Sequence, residues 1–465
     1  MRLLALIGTA FVATFVATAH RGGDAATASA SPAAADFRPC RGSATTRITQ
    51  PSAAKLAAAG LKGLPVAAAG RRVDLVAPRF SRSTSVTNPL FPISKLHSAI
   101  LNGKVSGKTF RVETTLLPET RIIEWSKGQC VKTLVSQYVA YLGGRIEEVA
   151  LDFYAQADDG SVWYFGEDVY NYEHGAVADT SGTWLAGKEG PAAMIMPGAP
   201  KVGDVHRPEN IPGLVFEEVA VKSIGKTVQG PRGRITGALV GRELHDDGSF
   251  SDKVFAPGYG EFFTAHEGDV EALALAVPTD RLPGPLPTEL ARLLSGAKAG
   301  FAAAGARRWQ AASAARGRMA AAWAAHRAHG VPLRLVAPLN VALASLTRAI
   351  AAREQRRAQH AALDVAQATL DLQLRHRPPA EIDRARLDLW ARRVVVDAAA
   401  CDLPALKGDV AILEWIRDRV PHTLGSVTIT RLDTILEELR ANVGDEEFAT
   451  ASRNTARLRQ VLARA

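Results

Sequence analysis

The sequence predicts an α+β protein in separate domains: an N-terminal curved antiparallel β-meander, as a sandwich or half-barrel, followed by a C-terminal α-helical bundle. Three observations support this prediction. From Thr87 to Val277, short apolar runs alternate with Gly, Pro, Asn and Asp, a texture typical of strands and tight turns. The segment from Val277 to Leu290 then holds four prolines. After it, apolar residues recur at helical spacing.

The predicted strands follow one another along the chain with short turns between them. They are residues 108–117, 121–125, 130–142, 145–157, 161–172, 176–184, 214–224, 234–244, 251–256, 260–266 and 270–277. Met196 to Gly213 is rich in Pro and Gly and is predicted to be a loop. About ten strands joined by local hairpins usually curl or split into two packed layers.

The helical part begins after the prolines, with Thr288 placed to cap a helix that starts at Glu289. Three long helical segments are predicted at 299–329, 337–377 and 380–400, with shorter helices around 410–419, 432–442 and 446–462. The predicted divisions are therefore a signal peptide (1–19), a disordered tether (20–55), the β domain (56–280), a Pro-rich linker (281–288) and the helical bundle (289–465).

The N-terminus has the composition of a secretory signal. Arg2 precedes an uncharged apolar run from Leu3 to Ala19 that ends in small residues, so cleavage is expected after Ala19. An uncleaved anchor is the alternative, because about 17 residues is the lower limit for spanning a bilayer. Either interpretation predicts a secreted or extracytoplasmic protein, with envelope association as one form of it.

The chain has three cysteines, Cys40, Cys130 and Cys401. In an oxidising compartment, a disulfide between Cys40 and Cys130 is the one pairing that the predicted domains favour, since Cys401 lies in the other domain. Three unpaired thiols are the alternative.

The chain carries a formal net charge of +9. Residues 288–465 hold 27 Lys and Arg against 18 Asp and Glu, which places nearly the whole surplus in the helical part. Such a charge suggests contact with an acidic partner, such as an anionic lipid surface or wall polymer. Export argues against nucleic acid as the partner.

Four segments of the predicted β domain resemble motifs of known proteins. They are TNPLFPI (Thr87 to Ile93), DFYAQADDGSVWYFGED (Asp152 to Asp168), MPGAPKVGDVHRPENIPG (Met196 to Gly213) and FAPGYGEF (Phe255 to Phe262). They resemble the motifs of a group of uncharacterised exported bacterial β-rich proteins, many of them lipoproteins. The resemblance covers roughly residues 87–278, and it implies a β-rich fold and export but no chemistry.

The sequence departs from that group in three ways. It has a simple signal in place of a lipoprotein box, and it adds the C-terminal helical domain. In addition, His206 stands where the group usually has an aromatic residue.

The phrase DFYAQADDGSVWYFGED predicts a β-hairpin with candidate binding residues. A turn over Ala157–Gly160, with Gly160 left-handed, would pair Phe153 with Phe165 and Leu151 with Glu167. In that register Glu167 lies on the apolar face, while Asp152 and Asp168 share the opposite face. The candidate binding residues are Asp152, Tyr154, Tyr164, Glu167, Asp168 and Tyr170. A solvated strand face is the alternative for all except Glu167, which could also pair with an arginine.

No motif in the sequence predicts a cofactor, a metal or a catalytic residue. The histidines, including His206 and His245, lack ligand-like spacing. No nucleophile elbow or phosphate-binding glycine loop is found either. In the helices, His360, His376 and three aspartates lack a Glu-x-x-His pair.

The sequence is therefore interpreted as an exported, non-enzymatic module of the cell envelope that binds a ligand or a partner. The expected ligand is apolar or anionic, and the basic helical domain could make peripheral contact with the envelope. The alternative is an extracytoplasmic hydrolase that acts on an envelope glycan through the hairpin carboxylates. A glycosidase needs two carboxyls across an open cleft, whereas a carrier needs an apolar cavity inside the curved sheet.

Overall fold

The computed structural model describes residues 48–464 of the chain. The predicted signal peptide, most of the predicted tether and Cys40 lie outside these residues. The described part begins with a short helix, α1 (Ala53–Ala58), and then contains one antiparallel sheet followed by a set of helices.

The sheet has 14 strands between Ser98 and Val277. They are β1 (Ser98–Val105), β2 (Lys108–Ser126), β3 (Gln129–Leu142), β4 (Arg145–Gln156), β5 (Val162–Glu173), β6 (Ala176–Asp179), β7 (Trp184–Leu185), β8 (Ala193–Met196), β9 (Val205–Ile211), β10 (Val215–Gly230), β11 (Gly233–His245), β12 (Phe250–Ala256), β13 (Gly260–His266) and β14 (Asp269–Val277).

The sheet is built from two meanders that meet at the pair of β1 and β14. One meander runs from β1 to β6, and the other runs back from β14 to β9. Strand β8 pairs with β5 and lies beside β9, so the two ends of the sheet approach each other. The sheet therefore curls round to give a concave inner face and a convex outer face. The predicted antiparallel meander is confirmed.

Several predicted elements differ in the structure; for example, the predicted strand 176–184 ends with β6 at Asp179, and the predicted helical segment 299–329 is divided between two helices. Residues 196–213 were predicted to be a loop, but they contain β9. Pro208 lies within this strand, and the sequence did not indicate a strand there because proline cannot donate a hydrogen bond to a neighbouring strand. The predicted strands 108–117 and 121–125 form the single strand β2, because the pairing with β3 shifts register between Leu116 and Thr120 and then continues.

The helical part contains α2 (Thr288–Gly305), α3 (Trp309–Arg327), α4 (Leu333–Ala351), α5 (Gln355–Gln373), α6 (Pro379–Ala399), α7 (Leu403–Arg417), α8 (Ser426–Gly444) and α9 (Phe448–Arg464). Helix α2 begins at Thr288, one residue before the predicted start, and the Thr288 side chain makes no capping bond. The second predicted long segment is divided into α4 and α5, with Arg353 at a φ of 54° between them.

The helices pack against the outer face of the sheet. Ile100, Val139 and Val149 of the sheet belong to the same buried apolar cluster as helical residues such as Leu339 and Leu413. Burial of this shared apolar surface is the main force that holds the two parts together.

A buried network of charges crosses the same interface. Glu113 of β2 contacts Arg111 at 2.7 Å, Arg386 of α6 at 3.5 Å, and Arg419. Asp371 of α5 lies 2.8 Å from both Arg111 and Arg386. Asp383 of α6 lies 2.9 Å from Arg386 and 3.6 Å from Arg419. We call these six residues the interface network; it holds three carboxylates and three guanidinium groups.

Cys130 of β3 is disulfide-bonded, whereas Cys401, after α6, is free and exposed. The alternative of three unpaired thiols is therefore wrong. The proposed partner, Cys40, lies outside the described residues.

Candidate functional site

The turn of the β4–β5 hairpin is the one predicted from the sequence. The Gly160 amide donates to the Ala157 carbonyl at 3.0 Å, and the Ala157 amide donates to the Ser161 carbonyl at 2.8 Å. Gly160 has a φ of 85°, a conformation that glycine adopts without strain.

The strands that leave this turn do not keep the predicted register. Tyr154 pairs with Tyr164, but the next pair is Asp152 with Glu167, so one residue of β4 lies opposite two of β5. This β-bulge lies at Phe165 and Gly166, and Gly166 has a φ of 120°. A Cβ atom on Gly166 would lie 2.2 Å from the Trp184 carbonyl oxygen of β7, so the residue at this position has to be glycine.

The bulge moves Glu167 to the face opposite the one predicted. Because side chains alternate along a strand, one extra residue reverses the faces of all residues beyond it. Glu167 is buried, as its predicted position on the apolar face implied, but it lies beside Asp152 on the inner face. The predicted sharing of a face by Asp152 and Asp168 is wrong.

The structure brings together four of the six candidate residues. Asp152, Tyr154, Tyr164 and Glu167 are buried on the inner face. The Tyr154 and Tyr164 rings stack with centroids 4.9 Å apart, and the Tyr164 hydroxyl donates to Asp152 Oδ1 at 2.8 Å.

The other two candidates lie on the outer face. Asp168 accepts a hydrogen bond from Arg121 at 2.7 Å, and both side chains are partly exposed. Tyr170 packs against Trp415 of α7, with ring centroids 5.1 Å apart. Both residues therefore have structural partners outside the candidate site.

The inner face carries many more carboxylates than the hairpin supplies. Cross-strand pairs place Glu209 opposite Glu217 and Glu217 opposite His245, and Thr264 opposite Lys253 and Glu271. We call the whole set the acidic inner face. Its carboxylate residues are Glu148, Asp152, Glu167, Glu209, Glu217, Glu243, Glu261 and Glu271.

Positive charge on this face is concentrated at one place. Lys253 Nζ lies 3.0 Å from Glu243 Oε1 and 3.9 Å from Glu217 Oε2. His245 lies beside the same two carboxylates. Lys253 and His245 can therefore compensate Glu217 and Glu243, while the other six carboxylates form no ion pair among the described residues.

Two carboxyl groups at the junction of β5 and β9 are buried beside each other, with no ion pair to a basic residue in the described part of the chain. Glu167 and Glu209 are both 0% exposed. Among the described residues, neither oxygen of either carboxyl has a hydrogen-bond partner of normal geometry. A buried carboxylate without a partner is costly, so these groups must either carry protons or bind a cation.

The pKa values follow from this crowding of buried acids. Burial raises the pKa of Asp152 to about 7; Glu261 adds to the rise, and the Tyr164 hydrogen bond opposes it. Burial, together with Asp152 and Glu147, raises the pKa of Glu148 to about 8. Burial and the neighbouring Glu209 raise the pKa of Glu167 well above its usual range. The inner face therefore holds protons near neutral pH that a cation could replace.

Sequence reasoning missed most of the acidic inner face, although a signal was present. Glu217, Glu243 and Glu271 each occur inside an apolar predicted strand, where a carboxylate at a buried position needs an explanation. Glu209 was hidden because its segment was interpreted as a loop.

Potential metal ligands also converge in a way that their spacing could not show. Glu217, Glu243 and His245 offer ligand atoms within 4.8 Å of one another. Glu243 and His245 lie two residues apart on β11, but Glu217 comes from the neighbouring strand β10, so a search for short histidine motifs does not find the set.

Neither a scan of known protein families nor a search of curated proteins finds a match to this chain.

Proposed function

We propose that the protein is an exported, non-enzymatic binding module of the cell envelope, and that it binds a cationic ligand on the acidic inner face. The observation that supports this most strongly is the pair of adjacent buried carboxyls, Glu167 and Glu209, which have no ion pair to a basic residue within residues 48–464. A positively charged ligand would supply the missing interactions and displace their protons.

The charge of the inner face favours this ligand over those expected from the sequence. Eight carboxylates would repel an anion, and their desolvation would oppose an apolar molecule. An anionic or apolar envelope component is therefore a poor ligand for the inner face. Export itself rests on the signal-like residues 1–19.

Ligand-induced stabilisation tests the proposal. We expect spermidine or a divalent metal ion to raise the melting temperature of the wild-type protein, and more at pH 8 than at pH 6, because fewer carboxyls hold protons at pH 8. A ligand at 100 times its Kd adds about 2.7 kcal/mol to the free energy of unfolding.

Paired substitutions provide the control for that experiment. Glu167→Gln combined with Glu209→Gln should abolish the stabilisation, whereas Asp252→Asn should leave it unchanged. Asp252 is an outer-face carboxylate of β12 that contacts Lys222 at 2.9 Å. Stabilisation of the double variant equal to that of the wild type would count against the proposal.

A second function, hydrolysis of an envelope glycan, is favoured by one observation. Asp152 and Glu167 pair directly across β4 and β5, so their Cβ atoms lie about 4.5–5.5 Å apart, near the carboxyl separation of a retaining glycosidase. However, both side chains are buried, and a glycosidase needs an open cleft. Release of sugars from envelope glycans by the wild type, lost in Asp152→Asn, would favour the hydrolase.

We propose that the helical part makes peripheral contact with an anionic envelope surface. Between Glu289 and Glu354 the chain has ten Lys and Arg residues and no Asp or Glu. Within the described part, α4 is the helix long and apolar enough to span a membrane by length and composition. It buries Leu335 and Leu339 in the helical core but leaves Leu333 80% exposed, which suits surface contact.

Sedimentation with lipid vesicles tests this contact. The wild type should sediment with vesicles that contain anionic lipid and should be released by salt. A variant with Arg316, Arg318 and Arg327 of α3 changed to Gln should bind more weakly. Equal binding to neutral vesicles, or no binding to anionic vesicles, would contradict the contact.

A further inference from the structure

The His245 end of the acidic inner face has the composition of a metal site. Glu217 and His245 are cross-strand partners, and Glu243 lies two residues before His245 on the same face of β11. His245 Nδ1 lies 3.6 Å from Glu217 Oε1, and His245 Nε2 lies 3.9 Å from Glu243 Oε2. All three side chains are buried, so water competes little for a bound ion.

A third carboxylate points to a fourth ligand. Glu209 lies directly opposite Glu217 on the neighbouring strand. It is 0% exposed, and its side chain interacts with the Glu167 carboxyl but forms no ion pair with a basic residue among the described residues. Glu217 Oε2 and Glu243 Oε1 have Lys253 Nζ as their partner, at 3.9 Å and 3.0 Å. The ligand atoms of Glu217, Glu243 and His245 therefore converge on one place, and Glu209 adjoins them on the neighbouring strand.

The charges of the cluster favour a divalent ion. A bound metal ion requires ionised carboxylate ligands, and Glu209, Glu217 and Glu243 would then share one ammonium group, that of Lys253, which lies near Glu217 and Glu243. With His245 neutral, these groups carry a net charge of −2, which a divalent cation would neutralise. A buried cluster with an uncompensated charge is strongly unfavourable.

The kinds of donor atom select among divalent ions. Ca²⁺ and Mg²⁺ prefer sites made of oxygen alone, whereas imidazole together with carboxylates suits first-row transition metals and zinc. Ser251 Oγ lies 3.0 Å from His245 Nε2 and donates to Glu243 Oε2 at 3.2 Å. Such contacts outside the ligand set fix the orientation of a ligating histidine and carboxylate.

We propose that Glu217, Glu243 and His245, with Glu209 as a fourth ligand, bind one divalent ion of the zinc and manganese class. The inference deepens the proposed function, since it rests on cation binding by the acidic inner face and names the cation. In the absence of metal, the Lys253 ammonium neutralises part of the same charge.

Zinc binding to the purified mature protein tests the inference. After removal of metals with EDTA and addition of Zn²⁺, we expect one bound zinc ion per chain by elemental analysis. His245→Asn and Glu217→Gln should each weaken zinc binding by at least about tenfold, as measured by competition with a chromogenic chelator. Lys253→Met, which removes the competing ammonium, should strengthen it.

The control is Asp252→Asn, which should keep the zinc affinity of the wild type. Asp252 is next to Lys253 in β12, but its side chain faces outward and contacts Lys222. Circular dichroism should show the same fold for every variant compared. Co²⁺ gives a second readout in the wild type, because a nitrogen and oxygen ligand set produces visible absorption bands that His245→Asn should lose.

The outcomes separate this inference from the proposed function. If spermidine stabilises the wild type but neither zinc nor manganese binds stoichiometrically, the metal site is wrong and the cation-binding module stands. If no cation binds, both are wrong. Equal zinc affinity in folded His245→Asn, or preference for Ca²⁺ or Mg²⁺ over zinc, would also overturn the metal site.

Discussion

The two faces of the same sheet bury charge in opposite ways. On the outer face, the interface network sets Glu113, Asp371 and Asp383 against Arg111, Arg386 and Arg419 at distances of 3.6 Å or less. On the inner face, eight carboxylates are compensated mainly by Lys253 and His245.

This difference separates a structural role from a binding role. A buried carboxylate with matched arginines stays ionised, and the pKa of Glu113 is accordingly held far below its usual range by Arg386, Arg111 and Arg419 despite its burial. A buried carboxylate without such partners holds a proton instead, as the raised pKa of Glu167 indicates. The outer network can attach the helices to the sheet, whereas the inner set remains able to exchange protons for a cation.

The largest expected effect comes from breaking the balanced network. Glu113→Gln leaves Arg386 and Arg419 buried with one carboxylate fewer, and removal of one partner from a buried pair typically costs about 3–5 kcal/mol. We therefore expect a loss of that size in the free energy of unfolding, measured by urea denaturation.

The matched control is Glu271→Gln on the inner face. Glu271 is also buried, but burial and the neighbouring Glu261 raise its pKa well above the usual range. A neutral amide should therefore replace a neutral acid with little loss. If both variants lost similar stability, the contrast between the two faces would be wrong.

The next largest effect should come from the bulge that turns Glu167 inward. Gly166→Ala imposes a φ of 120° on a residue with a side chain and places its Cβ 2.2 Å from the Trp184 carbonyl oxygen. We expect a loss of about 3 kcal/mol in the free energy of unfolding, measured by urea denaturation.

Gly143→Ala is the comparison for this substitution. Gly143 also has a positive φ, of 59°, but no atom lies within 4 Å of a Cβ built there. We expect a loss of roughly 1 kcal/mol. Equal losses for the two glycines would show that the bulge does not depend on the close approach of β7.

Gly166 also marks the limit of what could be predicted from the sequence. Strand alternation and turn residues predicted most of the sheet, the hairpin turn at Gly160 and the series of helices. The faces of β5 could not be predicted, because a single extra residue at Phe165 and Gly166 reverses them and leaves the alternation pattern looking regular. A glycine inside an otherwise apolar strand was the available signal.

The metal-ligand cluster was harder to predict, for a different reason. Glu209 comes from β9, Glu217 from β10, and Glu243 and His245 from β11, and only the pairing of these three strands brings them together. Pro208 made the strand of Glu209 look like a loop. Register between distant strands depends on the whole sheet, and a single sequence does not specify it locally.

A smaller effect is expected from pH. The folded-state pKa of Asp152, about 7, lies above the unfolded value of about 3.9, so the folded protein binds the proton more tightly. The stability from this group is complete below about pH 4 and is lost as pH rises through 7. Between pH 6 and 8 the expected loss is about 1.4 kcal/mol, and Glu148 adds a loss in the same direction because its pKa is raised to about 8.

Urea denaturation at several pH values, with EDTA present, measures this dependence. Asp152→Asn should flatten the fall in stability between pH 6 and 8, because the amide does not titrate. A wild-type protein that became more stable over this range, or a variant with an unchanged slope, would show that Asp152 is not a buried, protonated acid.

The smallest effect is expected at Asp168, the carboxylate that the unbulged register would have placed beside Asp152. Its pair with Arg121 is partly exposed, and exposed pairs contribute about 0–1 kcal/mol. Asp168→Asn should therefore lower the free energy of unfolding by less than about 1 kcal/mol and leave cation binding unchanged. Glu167→Gln should instead weaken cation binding, measured by the shift in melting temperature. If Asp168→Asn weakened binding and Glu167→Gln did not, the ligand would lie on the outer face. The carboxyls of the inner face would then be protonated core residues with no part in binding.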